Sequence, residues 1–346
     1  MKRTRQFASD NYSGICPEAW AALAAANAGH VTSYGDDEWT ERAIRQIQDV
    51  FETDCEVFFV FNGTTANALA LAALCQPYHS IFCHELSHLE TAECAAPGFF
   101  SGGGQLLPLP GADGKLTPDV LAAAVARRED VHFSKPGALS LTQVTEVGTA
   151  YSADEVRALT DVAHRHGLRV QMDGARFANA VAALGGKPAD LTWRAGVDVL
   201  SLGGTKNGLA VGEAVVFFDR ALAQDFGYRR KQGGQLASKM RFLSAPWTGV
   251  LADGAWLRHA AHANAMATRL AAGLREIPHV HIAYPVQSNG VFVRLPALVE
   301  EQLHLRGWHF YTGVVTPDEA RLMCSWDTTP EDVDAFVADV RELAAG

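Results

Sequence analysis

The chain has 346 residues, about twice an average domain, which allows one large or two moderate domains and a core that needs no disulfide or structural metal. Hydrophobic residues at 48% and charged residues at 20% exclude wholesale disorder. A formal charge of −10 argues against a general nucleic-acid binder and against docking on anionic membranes. The start, Met1-Lys2-Arg3-Thr4-Arg5-Gln6, is basic, but no apolar stretch follows, so it does not read as a secretory signal. The purest apolar run, residues 19–26, falls far short of the ~20 residues of a membrane span. Six cysteines (Cys16, Cys55, Cys75, Cys83, Cys94 and Cys324) form no CxxC pair and read as reduced thiols of a cytoplasmic protein.

Pro17 opens an alanine-rich helix that ends near Gly29. Trp39, Ala43, Ile47 and Val50/Phe51 recur at helical spacing and predict an amphipathic helix over 37–52. Residues 57–61 form a continuously apolar, β-rich run, a buried strand, followed by Asn62-Gly63-Thr64-Thr65 and a helix over 66–74. Further strands are expected over 81–83, 139–144, 168–172, 197–202 and 214–218. Helices start at Thr117-Pro118 and at the capping box Ser152-Ala153-Asp154-Glu155. Strands separated by helices predict an α/β architecture with a mostly parallel sheet over 1–248. After that the texture changes. A long helix over 252–277, short strands near 280–283, 291–295, 309–311 and 321–325, and helices over 296–305 and from Pro330 predict a smaller α+β domain over 249–346.

Several positions could carry chemistry. Asn62-Gly63-Thr64-Thr65 lies at a strand-to-helix junction, where free N–H groups and a positive dipole end can cradle a phosphate, or simply start a capped helix. Asp173 and Lys206 each follow an apolar strand, and ligands of parallel sheets collect outside the carboxyl ends of the strands. Two loop residues or a plain salt bridge would look the same. His84-Glu85-Leu86-Ser87-His88 spells the zinc motif HExxH, which requires a helix and a third ligand. Arg321 interrupts an apolar strand and must meet either a ligand carboxylate or an internal acid. Arg229-Arg230-Lys231-Gln232-Gly233-Gly234-Gln235 reads as a solvated basic turn, with an anion site or a subunit contact as the other reading.

Taken in order, Ser9-Asp10-Asn11-Tyr12-Ser13, Tyr34-Gly35-Asp36-Asp37, Gly63-Thr64, His88, Met172-Asp173-Gly174-Ala175-Arg176 and Gly204-Thr205-Lys206-Asn207-Gly208 resemble the low-specificity L-threonine aldolases. The likeness is to the bacterial branch that includes the phenylserine aldolases. It runs over nearly the whole chain, through Arg321 and Trp326-Asp327. It implies the aspartate-aminotransferase-like fold of type I pyridoxal-phosphate enzymes, a three-layer sandwich with a smaller C-terminal domain. It implies pyridoxal 5'-phosphate bound to Lys206 as a Schiff base, with Asp173 on the pyridine nitrogen and His88 stacked on the ring. Gly63 and Thr64 would bind the phosphate, Arg176 the phenolic oxygen or the substrate, and Lys231 the phosphate from a neighbouring subunit. Ser9 and Arg321 would hold the substrate carboxylate, and Tyr34 and Asp37 would lie near the site at a subunit boundary.

The implied reaction is retro-aldol cleavage of threonine, allo-threonine or related β-hydroxy-α-amino acids to glycine and an aldehyde. Lys206, His88 and Asp173 would be catalytic, and the protein a homo-oligomer, dimer or tetramer, with shared sites and no metal. One departure stands out. Many members carry a histidine in a Glu-Asn-Thr-His stretch where this chain reads Gln143-Val144-Thr145-Glu146. Glu146 or Thr145 takes over any contact with the substrate hydroxyl, or neither does, and the base stays open. Two other readings remain: another enzyme of the same fold, a β-eliminating lyase or an aminotransferase, and a zinc hydrolase built on residues 84–88.

Overall fold

Seven strands form the larger sheet: β1 (Glu56–Val60), β2 (His79–His84), β3 (Gln105–Leu109), β4 (Lys135–Thr142), β5 (Arg169–Gly174), β6 (Val199–Leu202) and β7 (Glu213–Phe217). The computed structural model describes residues 5–345, so the basic start Met1–Thr4 lies outside the described residues. Across the sheet the order is β1-β7-β6-β5-β4-β2-β3. The strands from β3 to β6 run parallel, and β7 is antiparallel to both β6 and β1. Both faces of β5, β6 and β7 are buried, which is why their sequences are mostly apolar rather than alternating, with Gln171 and Ser201 as polar interruptions. The helix Gly63–Leu74 covers one face, against β5, β6 and β7. The helices Glu38–Phe51 and Arg241–Leu251 cover the other and touch β1. The α/β class and the mostly parallel sheet are as expected.

One local expectation gives way, and two further elements carried no sequence expectation. Residues 226–232 form a helix, Phe226–Gln232, rather than a turn. The helix Arg241–Leu251 carries Pro246 in its interior and is buried on nearly every side, so it shows neither a clean start nor an amphipathic period. Strand β3 lies at the sheet edge, where Pro108 is tolerated because its missing N–H is not needed by a further strand.

A second sheet of four antiparallel strands follows: β8 (His281–Ile282), β9 (Gly290–Arg294), β10 (Tyr311–Thr312) and β11 (Ala320–Met323), in the order β10-β11-β9-β8. The helices Ala255–Arg275 and Pro330–Ala344 pack together beside it. Its core includes a residue from the far end of the chain. Phe7 is fully buried, stacked on Trp308 at 5.8 Å and edge-on to Phe336 at 5.2 Å. Its N–H donates to the His309 carbonyl, and its carbonyl accepts from Met323 N, both at 2.7 Å. This anchor delivers Ala8, Ser9 and Asp10 to the space between the two sheets. No helix of the described residues is long and apolar enough to cross a membrane.

Phe7→Ala should lower the unfolding free energy by about 3–5 kcal/mol, the usual range for a large core truncation. Urea denaturation of the variant checks this. A loss under about 1 kcal/mol would mean that the segment is not part of the core.

Candidate active site

The carboxyl ends of the central strands lie level with one another. Thr142 of β4 is the register partner of Asp173 of β5, and Asp173 is the partner of Ser201 of β6. Asp173 is buried, and each of its oxygens has a donor: Oδ1 accepts from Ala175 N at 3.0 Å and Oδ2 from Asn67 Nδ2 at 2.8 Å. Asn67 is buried in the helix Gly63–Leu74. Its amide nitrogen donates a second time, to Glu93 Oε1 at 2.9 Å. Its own oxygen accepts from Gln171 Nε2 at 3.0 Å, and Gln171 also touches Ser201 and Ser140. A polar chain thus crosses an otherwise apolar sheet, with Asp173, Asn67 and Gln171 hydrogen-bonded and only Glu93 Oε2 left without a partner among them.

Glu93 passes the chain on to His88, whose Nδ1 lies 2.8 Å from Glu93 Oε1. The contact with Glu93 raises the His88 pKa although burial opposes it. Burial raises the Glu93 carboxyl as well. His88 is half-buried and begins a short helix capped by Ser87, and its backbone N–H donates to Glu146 Oε1 at 2.8 Å.

Lys206 lies in the turn after β6. Glycine is required there by close approach: a Cβ on Gly203 would stand 2.4 Å from the Ala175 carbonyl oxygen. That contact sets the lysine turn against the Asp173–Arg176 turn. Gly204 N donates to Glu213 Oε2 at 2.5 Å, and burial raises the Glu213 carboxyl to about 7. The Lys206 amine makes no hydrogen bond among the described residues. Burial and then Arg176 push its pKa down, with Asp10, Asp173 and Glu213 acting the other way.

Two arginines converge on the segment after Phe7. Arg176 forks onto buried Asp10, with Nε to Oδ2 at 2.7 Å and Nη2 to Oδ1 at 3.0 Å, and Asn289 Nδ2 donates to the same carboxylate at 3.1 Å. Arg321 of β11 donates through Nη2 to the Ala8 carbonyl at 3.1 Å and lies over the Tyr311 ring at 5.2 Å. Its Nε is buried without a partner. Of the two readings open for Arg321, no internal acid among the described residues closes its fork, which leaves a donor available to a ligand anion. Ser9 is buried beside them and caps the turn after it through Asn11 N.

Gly63 and Thr64 begin the helix Gly63–Leu74, where the Asn62 side chain caps Thr65 N at 2.9 Å. Their own N–H groups have no partner among the described residues, and a Cβ on Gly63 would meet nothing within 4 Å. Tyr34 and Lys231 come together, the amine 5.2 Å from the ring centroid. Neither makes a hydrogen bond, ion pair or ring contact with Lys206, Asp173, His88, Arg176 or Arg321. Both Asp37 oxygens accept hydrogen bonds at the start of the helix Glu38–Phe51, as a cap.

The HExxH spelling does not make a metal site. His84 ends β2 and His88 starts the next helix, so no common helical face carries both. The His84 ring is engaged locally, by Gly111 O and Leu86 N at 3.0 Å each. Among the described residues the donor atoms that cluster within 4.8 Å belong elsewhere, to Cys16, Glu18 and His259.

Sequence reasoning missed Asn67, Gln171, Glu93 and Glu213, and it placed no acid opposite Arg176. The available signal was a polar residue inside an apolar run, as in Val170-Gln171-Met172 and Ala66-Asn67-Ala68.

The Asp10 pair gives a pH prediction. Burial pushes the Asp10 carboxyl up, but Arg176, Lys206 and Asn289 together bring it below its ordinary 3.8. A lowered folded value means stabilisation that is present above 3.8 and lost as pH falls through the folded pKa. Asp10→Asn should therefore cost about 3–5 kcal/mol at neutral pH, the usual price of breaking a buried pair. The gap to wild type should shrink in acid, measured by urea denaturation from about pH 7 to pH 3. A gap independent of pH would refute the pairing.

The beta-eliminating lyase family model matches residues 6–297. A low specificity L-threonine aldolase of Pseudomonas sp. strain NCIMB 10558 is 56% identical over 341 residues, covering 99% of this chain and 98% of that protein. One from Pseudomonas aeruginosa is 58% identical over 338 residues, covering 98% and 97%. The solved threonine aldolase of Leishmania major superposes with a TM-score of 0.92 at 28% identity, covering 98% of this chain and 99% of that one. This chain belongs to the beta-eliminating lyase family and, within it, to the low-specificity L-threonine aldolases.

Proposed function

We propose that this protein cleaves β-hydroxy-α-amino acids, threonine and allo-threonine among them, to glycine and an aldehyde, with pyridoxal phosphate held by Lys206. The family is pyridoxal-phosphate dependent. The residues present fit that cofactor. Lys206 has an amine free of hydrogen bonds with its pKa pushed down, as a covalent attachment point needs. Asp173 is a buried carboxylate at a strand end, suited to keeping a proton on the pyridine nitrogen. Gly63 and Thr64 offer two unused N–H groups beside open space at a helix start, suited to the phosphate. The observation that carries the substrate side is Arg321, whose buried Nε has no partner.

Bound at this site, pyridoxal phosphate supplies the sink for the electrons of the breaking Cα–Cβ bond. The chain does the rest. Arg321 holds the substrate carboxylate and so fixes which bond of Cα stands across the ring plane. Ala8 takes one of its N–H groups and Tyr311 lies under its guanidinium, so the fork is set before substrate arrives. Glu93 bonds Nδ1 of His88 and fixes the imidazole ring that would lie against the cofactor. Asn67 and Ala175 hold Asp173 in register with Lys206 across the Gly203 turn.

We place the protein in the cytoplasm as a homo-oligomer with shared sites. What supports this is that Tyr34 and Lys231 touch each other but none of Lys206, Asp173, His88, Arg176 or Arg321 of their own chain. No cysteine is paired among the described residues, in keeping with a reducing compartment.

The protein as purified with its cofactor should be yellow and should release aldehyde and glycine from L-threonine, L-allo-threonine or L-phenylserine, each tested separately. Lys206→Ala should abolish release and the visible band. Wild-type rates in that variant, or pyruvate and ammonia from serine in place of aldehyde, would remove the assignment. Arg321→Ala should raise KM ten- to more than hundredfold, since a charged fork contact is worth roughly 1.5–3 kcal/mol. An unchanged KM would show that the carboxylate binds elsewhere.

A further inference from the structure

The residues assigned so far leave one step without an owner: removal of the proton from the substrate's β-hydroxyl. Two side chains compete for it, and the structure separates them. Thr145 is buried and turned away from the site. Its N–H donates to the Thr149 carbonyl at 2.9 Å, and its hydroxyl meets the Thr149 hydroxyl at 2.7 Å.

Glu146 faces the other way. Oε1 accepts from the His88 N–H at 2.8 Å and from the Thr142 hydroxyl at 2.9 Å. Thr142 is the register partner of Asp173, so the carboxyl stands one strand from the cofactor-holding acid. Glu146 as a whole is half-buried, yet Oε2 is sealed from solvent and has no hydrogen-bond partner. A carboxyl oxygen kept from both water and protein donors is stable only when it carries a proton or meets one. Its ionisable neighbours come from several elements: Cys83 at the end of β2, His88, Asp173 and Arg176 at the end of β5, and Tyr151. Burial, with Asp173 adding, raises its pKa to about 7 against the pull of the N–H and hydroxyl donors. A group poised there both takes and returns a proton at neutral pH.

Resting on the aldolase reading above, we propose that Glu146 is the catalytic base that takes the substrate's β-hydroxyl proton on Oε2. The O–H bond breaks and its proton moves to the carboxylate. The oxygen's electrons form the aldehyde C=O as the Cα–Cβ bond breaks, and that bond's pair stays on the Cα side. Cα then gains one proton to become glycine. This equals the proton that Glu146 holds, so the carboxylate ends each turnover as it began.

Glu146→Gln tests this, because an amide oxygen still accepts from His88 and Thr142 while the ability to take a proton is lost. Aldehyde release from L-threonine should fall by about a hundredfold or more in kcat, with KM little changed. Exchange of glycine's α-hydrogen with D2O, followed by NMR, needs no hydroxyl base and should stay near the wild-type rate. In cofactor-free protein, infrared titration should show two carboxyl groups titrating near neutrality, that of Glu213 retained in the variant and the other lost. Should the variant not fold, Glu146→Asp, one methylene shorter, should show the same split between cleavage and exchange. Wild-type cleavage in the variant, equal loss of cleavage and exchange, or no carboxyl lost from the titration would each overturn the proposal. Failure of the wild-type protein to release aldehyde from any substrate would instead remove the aldolase reading and leave the titration result standing.

Discussion

The site depends on satisfying the Asp173 carboxyl group inside an apolar sheet. A buried carboxylate is costly unless donors surround it. Here Ala175 and Asn67 supply them, and Asn67 is in turn held by Gln171. The same amide nitrogen reaches Glu93, and Glu93 reaches His88. One hydrogen-bonded chain therefore sets both the acid that would lie at one edge of the cofactor and the imidazole that would lie on its face. Networks of this kind are strong when every member is matched and costly when one is not.

The electrostatics around Lys206 follow from that arrangement. Asp10, Asp173 and Glu213 lie near enough to act on the amine, and Arg176 opposes them. Arg176 is itself engaged by Asp10, yet it remains the strongest charge acting on the lysine. Arg321 keeps a free donor because the carboxylate near it already serves Arg176. Three cations in one crevice thus have different tasks because a single acid is paired with only one of them.

Much of this was legible in the residues, and the limits are physical. Lys206 and Asp173 announced themselves by ending apolar strands beside glycine-rich turns. The capping box at Ser152 and the Pro118 start were local signals and matched the observed helices. Asn67 and Gln171 did not stand out because their meaning lies in partners about a hundred residues away. Asp10 had no role of its own in the sequence, and only the folding of residue 7 into the second core brings it to Arg176. The helix around Pro246 was hidden because burial on nearly all sides erases the period by which helices are recognised. The zinc spelling misled because a strand end and a helix start can share the spacing of one helical turn.

The anchoring of Phe7 has a mechanical consequence. Ala8 and Asp10, two positions apart on one strap, grip respectively Arg321 of the second sheet and Arg176 in the turn after β5 of the first. A hinge opening between the layers would have to tear one grip or stretch the strap, so wide gaping is penalised. The crevice is accordingly stiff before anything enters it. Capture then forfeits less freedom; beside Arg321 the exposed Tyr12 and Tyr311 add a further tie, touching through their hydroxyls at 3.0 Å.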